Sequence, residues 1–316
     1  MRSPTGEGPV RDRQIIQTSK AMKRRNFFEY SLLFAVGCIA TNCGRGNSGN
    51  RNFPTLLRFT VTDVRTTEEL ERDYGPFRDV LQEILQTTIE LVPVNSQLAA
   101  ASALQAGQID LAWAGPSEYV AIRARSQAIP IVSLNRPNYY TTISVRADSG
   151  ITSLEDLQGK KIDMEEVGAN TAHLGGVKVL LDAGLQPAKD FHIVMSAQET
   201  IGWLRDGKVD AWSSALHTYQ AEIVKEGASE ADYPIIGRGD NFPGDIFVLG
   251  SKFSPEVVEY LQAQMLANTD LLLQGIQAAP ALTTKFQDAS FALASDRDYD
   301  SIREVYRALG QDNYLP

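Results

Sequence analysis

From residue 54 onward, short apolar runs alternate with stretches whose apolar residues recur every three to four positions. The runs at 57–62, 89–94, 109–114, 129–134, 141–145, 161–164, 192–195, 209–213 and 246–249 are four to six residues long, which suits strands better than helices. The stretches between them fit helices, and regular alternation of the two predicts an α/β sandwich of largely parallel strands. Local signals agree with this. Ser153-Leu154-Glu155-Asp156 has the form of a capping box, and Gly184 follows Val177, Leu180 and Leu181 where a helix C-cap glycine belongs.

One segment occurs twice. Leu104-Gln105-Ala106-Gly107-Gln108-Ile109-Asp110-Leu111-Ala112-Trp113 is echoed by Leu204-Arg205-Asp206-Gly207-Lys208-Val209-Asp210-Ala211-Trp212, each reading helix end, glycine, strand, aspartate and tryptophan. The two copies lie too far apart for a solenoid, and the spacing suits two related α/β lobes.

The chain has 316 residues, 43% hydrophobic and 22% charged, enough for a substantial core. Its formal net charge is −9, yet residues 1–43 hold seven bases against three acids, so the remainder carries −13. An acidic body of this kind is repelled by phosphate backbones, which argues against nucleic acid as a partner. Both cysteines, Cys38 and Cys43, lie near the N-terminus, so the body has no thiol for a disulfide framework, a zinc cluster or a nucleophile.

The N-terminus reads as an address. Lys23-Arg24-Arg25-Asn26-Phe27-Phe28 precedes an apolar run at 31–40 that is too short to span a bilayer, the grammar of an export signal. Ala35-Val36-Gly37-Cys38 resembles a bacterial lipobox with Cys38 as the lipidated residue, and the arginine pair resembles a twin-arginine signal, with the Sec route as the alternative. Residues 1–21 have the look of a mis-assigned start before Met22, and 44–53 of a flexible tether.

Gly107-Gln108-Ile109-Asp110-Leu111-Ala112-Trp113-Ala114-Gly115-Pro116-Ser117-Glu118-Tyr119 resembles a motif of the phosphonate/phosphite/phosphate-binding proteins of ABC importers. Tyr139-Tyr140-Thr141-Thr142, the segment from Ser153 through Lys160, and Gly207-Lys208-Val209-Asp210-Ala211 extend the resemblance from about Leu57 to the C-terminus. It implies a type II periplasmic-binding-protein fold: two lobes, each a mostly parallel sheet flanked by helices, joined by a two-strand hinge. Lobe one would combine 54–142 with 245–316, and lobe two would be 143–244. It also implies a monomer outside the cytoplasm, a small anionic ligand, an ABC permease as partner and no cofactor.

Ligands of open α/β sheets sit beyond the carboxyl ends of strands, where helix N-termini converge. Three such junctions can be read: 114–117, 168–173 and 196–199. Free N–H groups at each could receive oxyanions. Ser117 and Tyr119 read either as ligand contacts or as a helix cap and a packing ring. Asn170 and Thr171 can donate from side chain and backbone together, with Ala172 and His173 completing the turn, or can serve as simple caps. The resembled family usually has Ser-Thr-Ser-Gly where Ala169, Asn170, Thr171 and Ala172 stand, a histidine at Gln198 and a tyrosine at Gln97, so phosphonate specificity carries over weakly. By the same resemblance Asp210 faces the ligand and favours a protonated or zwitterionic one. Tyr140 and Trp212 either line the cleft or belong to the core.

His173, His192 and His217 lack metal-ligand spacing, and no HExxH, GxSxG, P-loop or GxGxxG motif is present, so neither a metal nor an enzyme is expected. The reading is an importer's substrate-binding protein for a phosphonate, phosphite or phosphate-like oxyanion. A binding protein for a sulfonate or carboxylate, or a ligand-sensing module, is the alternative.

Overall fold

A computed structural model describes residues 53–63, 66–197 and 200–315. The expected leader, nearly all of the tether, Cys38 and Gln198 lie outside the described residues, as does the side chain of Gln97. The chain first builds β1 (Leu56–Val61), α1 (Thr67–Leu85), β2 (Thr88–Leu91), α2 (Gln97–Gln105), β3 (Leu111–Ala114), α3 (Pro116–Ser126) and β4 (Ile129–Asn135). It then crosses to β5 (Tyr140–Val145), β6 (Lys161–Asp163), α4 (Gly176–Asp182), β7 (His192–Val194), α5 (Thr200–Arg205), β8 (Ala211–Ala215), α6 (Leu216–Lys225) and β9 (Ile235–Asn241). It returns as β10 (Asp245–Leu249), α7 (Pro255–Ala267), α8 (Thr269–Gln277), α9 (Pro280–Thr283), β11 (Ser290–Leu293) and α10 (Asp300–Ala308). No helix among the described residues is long and apolar enough to cross a membrane.

Two sheets result, ordered β11-β4-β10-β3-β1-β2 and β7-β6-β8-β5-β9. They are mixed, which corrects the expectation of mostly parallel sheets. β1 pairs parallel with β2 and β3, and β6 with β7 and β8, but β10 and β5 run antiparallel to both of their neighbours and β11 antiparallel to β4. The reason lies in the route. β5 and β10 enter their sheets directly from the other lobe, without the returning helix that forces a parallel pairing. The crossings occupy 136–139 and 242–244, joined by a hydrogen bond from the Phe242 N–H to the Tyr139 carbonyl (2.6 Å). The first comes earlier than the sequence suggested, so Tyr140, Thr141 and Thr142, expected in the first lobe, belong to the second sheet.

The internal echo is realised atom by atom. Gly107 and Gly207 both adopt positive φ (66° and 69°) after a helix, and Asp110 and Asp210 each precede a strand. Each aspartate accepts a backbone N–H from the neighbouring strand, Arg58 in one case and Lys161 in the other, at 2.9 Å. Each also returns its own N–H to that residue's carbonyl at 2.8 Å. Asp110 is further clamped by Arg58 and Lys252, whose bonds outweigh burial and hold its carboxyl below the usual range.

The first lobe is built around Trp113, which meets Tyr74, Phe77, Phe247 and Phe286 at centroid distances of 4.9 to 5.3 Å. All five are buried, and aromatic clusters of this kind dominate core energetics. Replacing Trp113 by alanine is expected to cost about 3–5 kcal/mol of unfolding free energy, measured by urea titration.

Candidate functional site

An interlobe cleft opens at the carboxyl ends of β1, β3 and β6. Tyr139 divides it in two.

One half is a cavity of about 530 Å3 lined by Asp63, Ser117, Glu118, Glu166, Gly168 and Asn170 among others. Ser117, the second residue of α3, donates its N–H to Asn170 Oδ1 across the lobes (3.0 Å) and its hydroxyl to Glu118 Oε2 (3.0 Å). The structure thus brings Ser117 and Asn170 together, but as partners of one another. Gly115 makes room for this: a Cβ there would stand 2.4 Å from the Glu118 carboxylate. Burial pushes the Glu118 carboxyl above its ordinary pKa. No lysine or arginine is among the described residues lining this half.

Residues Asn170–Gly175 form a π-helical turn continued by α4, a geometry with widened hydrogen bonding that recurs at functional sites. It packs against β5 and β8 because Gly175 and Gly176 bear no side chain. A Cβ on either would meet Thr141 Oγ1 (1.9 Å) or Ser213 Oγ (2.3 Å). Thr171, Ala172 and His173 are buried inside this turn. Thr171 gives its carbonyl to the Thr141 hydroxyl (2.7 Å), and His173 Nδ1 accepts the Gly168 N–H (3.0 Å), so the imidazole shapes the loop. At the third junction Ser196 is committed to Asp163, through its N–H (3.1 Å) and hydroxyl (2.6 Å).

Other expected residues lie elsewhere. Tyr119 is buried in the first lobe, its hydroxyl on Asp296 (2.5 Å) and its ring 4.5 Å from that of Tyr299. Tyr140 faces the opposite side of its strand from the cleft-lining Tyr139 and lies under the Arg238 guanidinium at 3.7 Å. Asp210 stands at the amino end of β8, remote from the carboxyl-end cleft, where bonding to the Lys161 amide is its task; this corrects its assignment to the ligand.

The second half, about 570 Å3, has Arg136, Tyr139, His217 and Lys285 in its wall. Arg136 stacks on Tyr139 (3.5 Å to the ring centroid) and pairs with Asp245 (3.1 Å), while Lys285 pairs with Asp63 (3.1 Å). Arg136 and Lys285 were not expected at the site, and His217 carried no metal-ligand spacing to mark it. A base between an apolar strand and the Tyr139-Tyr140 pair was the available signal for Arg136. No group of acidic, histidine or cysteine side chains suited to a metal ion occurs among the described residues.

A profile of the family described as "ABC transporter, phosphonate, periplasmic substrate-binding protein" matches residues 59–299. The chain belongs to this family. The Phosphate-import protein PhnD of Mycolicibacterium smegmatis is 21% identical to this substrate-binding protein over 301 residues, covering 89% of the chain and 94% of the relative. The Tetrathionate sensor histidine kinase TtrS of Salmonella typhimurium is 30% identical over 181 residues, which is 54% of the chain and 29% of the kinase. Among solved structures, XAC2383 from Xanthomonas citri bound to ATP has a TM-score of 0.61 at 17% identity, covering 82% of this chain and 98% of its own. PhnD1 from Prochlorococcus marinus in complex with methylphosphonate has 0.57 at 16%, covering 82% and 99%. The periplasmic aliphatic sulphonate binding protein SsuA from Escherichia coli has 0.53 at 16%, covering 83% and 89%. At these identities the likeness is one of fold, the type II periplasmic binding protein. Membership makes the chain an extracytoplasmic component of an ABC importer that binds a small ligand and serves a membrane permease.

Two groups of this substrate-binding protein pull its pH dependence in opposite directions. Burial lowers His173 from 6.5 to about 4, so the unfolded chain takes up the proton first and stability falls as pH drops through that window. Burial, aided by Asp163, raises Glu165 from 4.5 to about 7, so the folded state holds that proton more tightly and stability falls as pH rises through that window. In urea titrations, stability of wild type minus that of His173→Gln should therefore rise between pH 4 and 6.5. The same difference for Glu165→Gln should fall between pH 4.5 and 7.

Proposed function

We propose that the protein captures a small oxyanion, of phosphonate, phosphite or phosphate type, by closing its two lobes on it, and that the closed form is what the permease recognises. The observation that carries this reading is the family match over residues 59–299, joined to a cleft that both lobes line at the carboxyl ends of their strands. The crossings at 136–139 and 242–244 are the elements about which closure takes place. An ion bridging donors of both lobes binds the closed state preferentially, which is the condition for driving closure. The lobes correspond to the regions before and after the first crossing, with the chain returning at β10. The protein acts as a monomer, performs no chemistry on its ligand, and is exported and tethered through a lipid on Cys38.

A sulfonate or carboxylate ligand is the alternative within the same fold. A sensing role is favoured by the 30% identity to the tetrathionate sensor kinase over 181 residues.

Calorimetry and thermal shift of the processed protein against phosphite, phosphate, methylphosphonate, aminoethylphosphonate, sulfate, taurine and tetrathionate discriminate these. A phosphorus oxyanion at 100 times its Kd should stabilise the protein by about 2.7 kcal/mol. Stabilisation confined to the sulfur compounds would refute the phosphorus assignment. For the anchor, wild-type protein should fractionate with membranes and Cys38→Ala should not; a soluble wild type defeats the tether.

A further inference from the structure

Three strand-to-helix junctions were expected to hold the anion, and at each of them the protein's own groups take up a donor. At α3 the Ser117 N–H is taken by Asn170, and the Glu118 carboxylate stands over the helix start. At the π-helical turn His173 takes the Gly168 N–H, and at the third Asp163 takes the amide and hydroxyl of Ser196. With Asp63, Glu118 and Glu166 in its wall and no base among its described lining residues, that half of the cleft repels an oxyanion.

A fourth junction has an uncapped helix start and bases rather than carboxylates in its cavity wall. The ten-residue helix α6 starts at Leu216 after Ala215, which offers no side-chain acceptor to cap it, so the positive end of the helix faces the second cavity undressed. Opposite it stands Arg136, whose side chain is only 10% exposed. One of its nitrogens holds Asp245 at 3.1 Å, but Nε is buried with no hydrogen-bond partner. A buried guanidinium N–H left unsatisfied is costly and rare, and Arg136 stands in the wall of a cavity whose other polar lining includes His217, Gln220, Thr284 and Lys285. No carboxylate is among the described residues lining this cavity; Asp63 and Asp245, which pair with Lys285 and Arg136, are not in its wall. Partial burial and the Arg136 charge lower the basicity of His217, which lines the same cavity.

We infer that the oxyanion head of the ligand is held here, between the N-terminus of α6 on the second lobe and Arg136 of the first crossing with Lys285 of the first lobe. The Arg136 guanidinium, the Lys285 ammonium and the opening amides of α6 are donors to a phosphoryl, phosphonyl or sulfonyl oxygen. Since they come from both sides of the cleft, the anion completes a set that neither lobe supplies alone. The inference rests on the oxyanion-binding function proposed above and names the half of the cleft that performs it.

The test is calorimetry with phosphate, methylphosphonate and sulfate on four proteins: wild type, Lys285→Gln, His217→Glu and Lys189→Gln. Lys285 is partly exposed, and a carboxylate in the first turn of a helix is well tolerated, so the first two variants are expected to fold. Both should bind the wild type's preferred anion at least about tenfold more weakly, His217→Glu by placing a negative charge where the anion sits. Lys189→Gln removes the same charge from an exposed turn and should match wild type. Wild-type affinity in both Lys285→Gln and His217→Glu would overturn the inference while leaving the binding function intact. A wild type that binds none of the three ions would overturn the function and this inference with it.

Discussion

The architecture depends on one buried ion pair. Arg136 opens the first crossing between lobes and Asp245 closes the second, and their contact at 3.1 Å pins both passages of the chain to one point. Their side chains are 10% and 6% exposed, so each charge is largely removed from water and needs the other. Lys285, arriving from beyond α9, lies 3.9 Å from the same aspartate and 3.1 Å from Asp63 at the end of β1. Four charges from four stretches of chain therefore meet where the lobes join, and Tyr139 rests against one of them.

The cleft inherits its asymmetry from this arrangement. Asp63, Glu118 and Glu166 line the cavity on one side of Tyr139, and Arg136 and Lys285 line the cavity on the other. An acidic protein can thus serve an anion, because the field inside a narrow cleft follows the nearest groups and helix ends rather than the total charge. Burial, by contrast, is what raises the pKa values of Glu118 and Glu165 and holds His173 neutral.

Much of the fold was legible because strands buried on both faces are written as apolar runs, and nine of them were found where expected. β9 and β11 were missed for physical reasons. β9 reads Ile-Ile-Gly-Arg-Gly-Asp-Asn, and Gly237 has no side chain because Leu154 fills its place, its Cδ2 2.6 Å from where a Cβ would be. β11 is a four-residue edge strand with no fully buried position. In the cleft, Ser117 and Asn170 were legible from their places beside strand ends. Tyr140 was chosen over Tyr139 because a strand reverses its face at every residue, and the register that decides which one faces inward is a tertiary fact. Arg136 and Lys285 meet one cavity from positions far apart in the chain, a proximity no local pattern records.

The place of β10 in the first sheet has a kinetic side. It lies between β3 and β4, yet the chain supplies it only after every strand of the second sheet has been made. Until it arrives, β3 and β4 each present an unpaired edge, and the aromatic cluster around Trp113 lacks Phe247 and Phe286. The strands of the second sheet are all made by β9, whereas the first waits for β10 and β11, and both sheets depend on pairings of long sequence separation. Such pairings form slowly and leave strand edges open to other chains meanwhile. The first lobe, begun first, is thus the last to be completed as the chain is made.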